Sequence, residues 1–161
     1  MLLDVTKTAE VVASPQAAWE LTRDVPRLTG CIPNVSDLQV LEEDRRYAAV
    51  VADKVGPFRI RVPFQIEVQS IEEPRRIVAE VAGNDNRGQA RVRGKLEATV
   101  EPAGEGALLT LAMRMEVLGR LAALGAAPMR RRADEIFGEF VRRLQAQLGA
   151  AVPEESSGRT G

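Results

Sequence analysis

The chain has 161 residues, no histidine among them and a single cysteine, Cys31. Without an imidazole, Cys31 lacks a histidine base to form its thiolate, and serine–histidine–aspartate chemistry is excluded. A zinc site of cysteine and histidine is excluded too, because one thiolate cannot supply three or four ligands. Carboxylates remain for magnesium or acid–base work, so catalysis is not forbidden, but it has lost its commonest tools. One cysteine cannot close an internal disulfide, so nothing points to an oxidising compartment. There is no excess of either charge: the formal net charge of −1 speaks against a nucleic-acid binder, which carries a large basic surplus. No apolar run approaches the roughly 20 residues that cross a bilayer. The opening "MLLDVTKTAEVV" lacks the basic start and long apolar stretch of a signal peptide. These absences predict a cytoplasmic protein.

What is present is an ordinary globular balance, 45% hydrophobic and 28% charged residues, in a chain long enough for one domain with a real core. Leu3, Val5, Lys7, Ala9 and Val11 alternate with Asp4, Thr6, Thr8, Glu10 and Val12, which predicts a strand with one mostly apolar face. Ser14 is a natural helix N-cap and Pro15 suits the first helical position, so "SPQAAWEL" starts a short helix with Trp19 and Leu21 facing inward. "TRDVPRLTGCIP" predicts a second short helix or turn, ended by Gly30 and Pro33.

From Val35 to Leu118 the period is two. A hairpin turns at Glu43–Arg45, and the chain stops again at Gly56–Pro57. The next strand puts Phe58, Ile60, Val62, Phe64, Ile66 and Val68 on one face and Arg59, Arg61, Gln65, Glu67 and Gln69 on the other. Pro63 has no backbone donor and predicts an edge or a bulge there. Further strands follow the turns at Glu73–Arg75, "GNDNRG" and "GEGA". They point Ala90, Val92, Gly94, Leu96, Ala98 and Val100 inward, then Leu109, Leu111, Met113, Met115 and Val117. Beyond Pro128 the period changes: Met129, Ala133, Ile136, Phe137, Phe140, Val141, Leu144 and Leu148 form one stripe of a long amphipathic helix. The expected domain is 1–149, with a polar, disordered tail at 150–161.

These elements predict an α+β fold. A curved antiparallel sheet of about seven strands wraps around a long C-terminal helix, with two short helices after the first strand. That is the helix-grip arrangement of START-like (SRPBCC) domains, in which sheet and helix leave an elongated apolar cavity between them. The expected lining is Trp19, Val51, Phe64, Ile66, Val81, Val92 and Leu96 from one side. Leu111, Met113, Met115, Met129, Ile136, Phe137 and Phe140 complete it. The methionines suit either a pliable cavity wall or plain core. Asp53 is the one carboxylate that alternation turns inward, unless the register slips at the nearby turn, which is the reading preferred. Two basic groups are read as solvated faces. Arg130, Arg131, Arg132, Arg142 and Arg143 are balanced by Asp134, Glu135 and Glu139. Arg59, Arg61, Arg91 and Arg93 share the outer sheet face with Glu67, Glu80 and Glu97.

The stretch "SPQAAWELTRDVPRLTGCIPNV" resembles the first motif of the family named for the G subunit of carbon monoxide dehydrogenase. Asp24, Cys31, Ile32, Pro33, Tyr47, Val55, Gly56 and Pro57 stand where that family has its Asp, Cys-Ile-Pro, strand tyrosine and Val-Gly-Pro turn. "RGQARVRG" and "GRLAALG" extend the similarity to about residues 3–148. Asn34 replaces a usual Gly, and asparagine tolerates the left-handed backbone such a turn needs. Longer members carry a C-terminal extension thought to anchor them to the membrane. This chain shows only a polar tail there, so any membrane contact is expected from the folded domain. The resemblance implies a noncatalytic protein that binds a quinone or lipid, with no tightly bound cofactor. It also implies an accessory role, in maturation or membrane recruitment, to a molybdenum hydroxylase of the carbon monoxide dehydrogenase type. The location is then the cytoplasm or the inner face of the membrane. The alternatives are a cyclase or hydratase working in the same cavity, and a ligand-free protein-interaction module. Cys31 itself reads as a packed residue: Gly30 and Pro33 place it at a helix C-terminal end, where the dipole disfavours a thiolate, with Arg27 the one nearby cation.

Overall fold

The computed structural model describes residues 1–151, with side chains as far as Gly149. Alternation is realised as seven strands, β1 (Leu2–Val11), β2 (Val35–Glu42), β3 (Arg46–Val55), β4 (Phe58–Glu72), β5 (Arg76–Asn84), β6 (Arg91–Ala103) and β7 (Gly106–Leu118). Between β1 and β2 lie the two short helices α1 (Pro15–Arg23) and α2 (Val25–Thr29). After β7 a 3₁₀ turn, Arg120–Leu124, leads into the long helix α3 (Ala126–Ala151). Of the tail expected at 150–161, residues 150 and 151 continue α3, and the rest lies outside the described residues.

The strands form one antiparallel sheet in the order β1-β7-β6-β5-β4-β3-β2. Each meander strand pairs with its sequence neighbours, and β1 closes the far side on β7. Helix starts follow the sequence cues. The Ser14 hydroxyl accepts from the Ala17 N–H at 3.1 Å, and the Asp24 carboxylate from the Arg27 N–H at 3.3 Å, each satisfying a donor left free in the first helical turn. Helix α1 is locked down by Trp19, which is 0% exposed and whose indole N–H donates to the Glu73 carboxylate at 2.6 Å. Glu73, in the β4–β5 turn, also takes Arg23 at 2.8 Å.

Two expectations about the sheet change. Pro63 is neither on an outer strand nor in a bulge. The β3–β4 register runs unbroken through Val50↔Pro63, while pairing to β5 begins only at Phe64↔Gly83. The register would set Pro63 opposite Asn84, the last residue of β5, and no pair forms there, so Pro63 stands where the β4–β5 ladder has already ended. The irregularity in β4 falls instead between Val68 and Ser70. Asp53 does not sit in a register slip either: β3 pairs cleanly down to Val55↔Phe58, Asp53 faces Ile60 across the ladder, and its side chain points inward as alternation demands.

The curvature of the sheet can be read from α3. Four strands separate β1 from β3 in the sheet. One stretch of α3 nevertheless reaches both: Asp134 pairs with Lys7 of β1, and Arg132 with Asp53 of β3. A flat sheet cannot do this at about 4.8 Å per strand. The sheet therefore curls around the helix and presents the inner faces of β4–β7 to it. Gly94 of β6 sits at a point of close approach on that inner face. A Cβ there would lie 2.5 Å from Met115 Sδ and 2.2 Å from the Arg114 carbonyl oxygen, so only glycine lets β6 and β7 meet in this register.

Candidate functional site

The concave face and the stripe of α3 enclose the candidate site. The C-terminal half of α3 is seated firmly, with Phe140, Leu144 and Leu148 fully buried. Each such side chain contributes about 1.5–3 kcal/mol of burial. The Gln145 amide adds a two-point contact to the backbone of Val12, 2.9 Å from its N–H and 3.3 Å from its C=O. The N-terminal half behaves differently: Met129 is buried, but Ala133, Ile136 and Phe137 are only half covered. Across from them, Val51, Ile60, Phe64, Val92, Leu96, Leu111 and Met113 are half-buried as well. Ile60, Phe64, Val92, Leu96, Leu111, Met113 and Phe137 pack against the buried core while keeping part of their own surface uncovered on the side facing the start of α3.

The predicted lining therefore divides. Val51, Phe64, Val92, Leu96, Leu111, Met113, Ile136 and Phe137 are half-buried. Ile66, Val81, Met115, Met129 and Phe140 belong to the buried core, and Trp19 is enclosed under α1 at the end of the sheet. Phe137 and Phe140 bridge the two zones, their ring centroids 5.8 Å apart.

Ion pairs join the buried Met129 in fixing the N-terminal half of α3. Asp53, with its side chain 6% exposed, receives Arg132 through Nε at 3.1 and 3.0 Å and through Nη2 at 2.7 Å. Its remaining acceptor capacity is taken by the Lys54 N–H at 2.8 Å and the Asn34 amide at 3.3 Å. Burial alone raises the pKa of Asp53. The hydrogen bonds from Arg132 and Lys54, with the Arg132 charge and Asn34, outweigh it and leave the carboxyl below its ordinary value. On the other flank, Lys7 pairs with Asp134, and Arg130 donates to the Asp4 carbonyl at 2.7 Å. The basic run is thus not uniformly a solvated face. Arg142 and Arg143 do pair with Glu139 along the helix surface, but Arg132 turns in. Its position carried the signal, since it stands three residues after Met129 and four before Ile136, the spacing of the apolar stripe.

Cys31 is 2% exposed, two residues past the end of α2, and its thiol donates to the Arg27 carbonyl at 3.6 Å. Burial pushes its pKa up, and the charges of Arg143 and Arg27 offset this only in part. Thiol labelling of the native protein at neutral pH is expected to be slow and to become fast only on unfolding. Cys31→Ala is expected to cost on the order of 1 kcal/mol while leaving ligand binding intact. Fast native labelling together with loss of function in Cys31→Ser would reverse this reading. Among the described residues, no group of three Cys, Asp or Glu side chains is placed to hold a metal ion.

Comparison with known proteins matches this geometry. The chain is similar in structure to a conserved protein from Geobacillus kaustophilus, with a TM-score of 0.81 at 21% identity over 92% of this chain and 96% of that one. It is also similar to a START superfamily protein from Mycobacterium smegmatis, with a TM-score of 0.68 at 18% identity over 92% and 98%. Both show the helix-grip architecture rather than a shared activity. No curated protein matches the chain. The profile of the CoxG family, named for the G subunit of carbon monoxide dehydrogenase, matches residues 8–149. With that span covering β2–β7, the end of β1 and nearly all of α3, the chain belongs to the carbon monoxide dehydrogenase CoxG family.

Proposed function

We propose that the protein binds a hydrophobic small molecule, a quinone or a lipid, in a groove between the sheet and α3, without catalysing its conversion. In this reading it serves as an accessory to a carbon monoxide dehydrogenase-type molybdenum hydroxylase, in maturation or in recruitment to the membrane. The observation that carries the binding reading is the half-covered apolar lining beneath the N-terminal half of α3. Side chains such as Leu96 and Met113 are normally buried completely in a domain this size, and a bound apolar molecule would complete that burial. The partner enzyme is supported by family membership alone. The polar groups nearest the groove, Asp53 and Arg132, are committed to each other, which favours binding over an acid–base role. No helix among the described residues is long and apolar enough to cross a membrane.

The test is titration with a short-chain ubiquinone analogue, read by native mass spectrometry and by quenching of intrinsic fluorescence. Leu96→Trp fills the groove from β6. It is expected to weaken binding at least about tenfold, the equivalent of some 1.4 kcal/mol, with little change in the unfolding midpoint. A protein that binds neither quinone nor phospholipid, or a Leu96→Trp variant that binds as well as the parent, sinks the proposal.

A further inference from the structure

The outer face of the sheet is not evenly charged. Glu67, Glu80 and Glu97 share it with Arg59, Arg61, Arg91 and Arg93, but the register separates the two groups. Glu67 lies opposite Arg46, Glu80 opposite Lys95, and Glu97 holds Arg76 at 2.8 Å. The acids are thus placed against other bases. Farther along the same face, toward the β3–β4 turn, a cleft of about 570 Å³ opens across β2–β6. Its outward floor is Ala48, Val50, Pro63 and Ala82, short side chains where the neighbouring row carries Arg46, Glu67, Glu80 and Lys95. Its polar rim includes Gln39, Gln65 and Asn84 with Arg91 and Arg93. Arg59, Arg61 and Lys54 stand exposed on the adjoining β3–β4 ladder.

Asp37 is the one carboxylate in the cleft lining, and it faces Arg61 at 3.5 Å. Glu116 is across the ladder from Arg93 but outside the lining. Among the described residues Arg59, Arg91 and Arg93 have no ion-pair partner, in a chain whose overall charge is −1. A local surplus of positive charge over a recessed, uncharged floor is complementary to carboxylates carried on a slender support.

We infer that this basin docks an acidic, extended segment of a partner protein. Its breadth favours a polypeptide: a site that opens over five strands cannot enclose the greater part of a small ligand's surface, as small-molecule pockets do. A bilayer surface fits poorly, because the apolar floor is recessed behind longer side chains. A chain segment with small residues between its carboxylates reaches the Ala48–Ala82 floor while its acids meet Arg91 and Arg93. The inference rests on the accessory reading and names the face by which the partner is engaged. The basin opens on the face opposite the inward side chains, and although Phe64 and Val92 also line it, Arg91 and Arg93 point outward, so substitutions there separate docking from ligand binding.

The experiment uses the full chain, isotopically labelled, titrated with an alternating Glu-Ala peptide and followed by amide chemical shifts. Shifts at Ala48, Gln65, Ala82 and Arg93 that weaken steeply with salt are expected. Arg91→Glu/Arg93→Glu should weaken binding at least about tenfold. Arg91→Gln/Arg93→Gln should weaken it less, and guards against a folding defect in the reversed variant. Arg131→Glu, on the exposed surface of α3, should leave the basin shifts in place. The inference is overturned by an absence of peptide binding, by equal losses in the α3 variant, or by phosphatidylglycerol vesicles reproducing the basin shifts when the peptide does not. Quinone titration of the basin variants is expected to match the parent. A parent that fails to bind quinone while the peptide still docks overturns the ligand reading and leaves the basin standing.

Discussion

Trp19→Ala is expected to lose about 3–5 kcal/mol of stability, in the range seen when large buried aromatics are truncated. The ring is 0% exposed, and α1 is anchored through it. Truncation leaves a cavity the size of an indole beneath a helix of only nine residues, too short to hold its shape without packing. The hydrogen bond to Glu73 is the smaller part of the loss, because Glu73 is exposed and returns to water. Glu73→Gln should therefore cost less than about 1 kcal/mol, and Trp19→Phe should fall between the two. Since domains of this size are stable by roughly 5–15 kcal/mol, the alanine variant sits close to unfolding at physiological temperature. Urea denaturation measures it directly. A loss below about 1 kcal/mol for Trp19→Ala would mean that the indole does not organise the end of the sheet.

Asp53→Ala is the second large effect. Removing one member of a buried ion pair costs about 3–5 kcal/mol when the other is stranded. Here the Arg132 side chain is 36% exposed and able to turn to water, so the lower end, about 3 kcal/mol, is expected. The pH dependence follows from the direction of the shift. The folded protein holds the Asp53 carboxyl below its ordinary value, so it prefers the ionised form more than the unfolded chain does. The stabilisation is therefore complete above about pH 4, the ordinary range of an aspartate, and drains away as pH falls through the lower folded value. Thermal midpoints of the parent should drop in that acid window, and the Asp53→Ala protein should show a correspondingly smaller drop. Parallel acid profiles for the two proteins would refute the assignment. Arg132→Gln tests the pair from the other side. It leaves Asp53 buried with only Asn34 and the Lys54 N–H, so the Asp53 pKa should rise and the acid transition should move to higher pH.

Much of this architecture was legible because a strand's period of two and a helix's 3.6 are local properties. The inward faces of β3, β4, β6 and β7, the cap Ser14, and the stripe of α3 all follow from residues within a few positions of one another. What escaped depends on distant pieces. Pro63 announces a missing donor, but whether a ladder bond is lost there depends on how far the β4–β5 pairing runs. Parity turns Asp53 inward, but the sequence alone prefers a register slip there, because a buried carboxylate is improbable without a partner, and its partner lies 79 residues away on a helix. The split of the expected lining into half-buried and core residues has the same origin. Alternation says that Leu96, Met113 and Met115 all face inward. Only the packing of distant elements decides that Met115 is covered and the other two are not.

The two ends of α3 are held by forces with opposite responses to the surroundings. Near its start the helix is tied to β1 and β3 by Lys7–Asp134 and Arg132–Asp53; near its end it rests on Phe140, Leu144 and Leu148. Dissolved salt screens the exposed Lys7–Asp134 pair, and the buried Asp53–Arg132 pair much less, while it leaves the apolar end untouched or strengthened. Cooling weakens the apolar end and leaves the ion pairs in place. Ionic strength and temperature thus act as two separate handles on one helix, and it is the ionic one that works on the half lying over the groove.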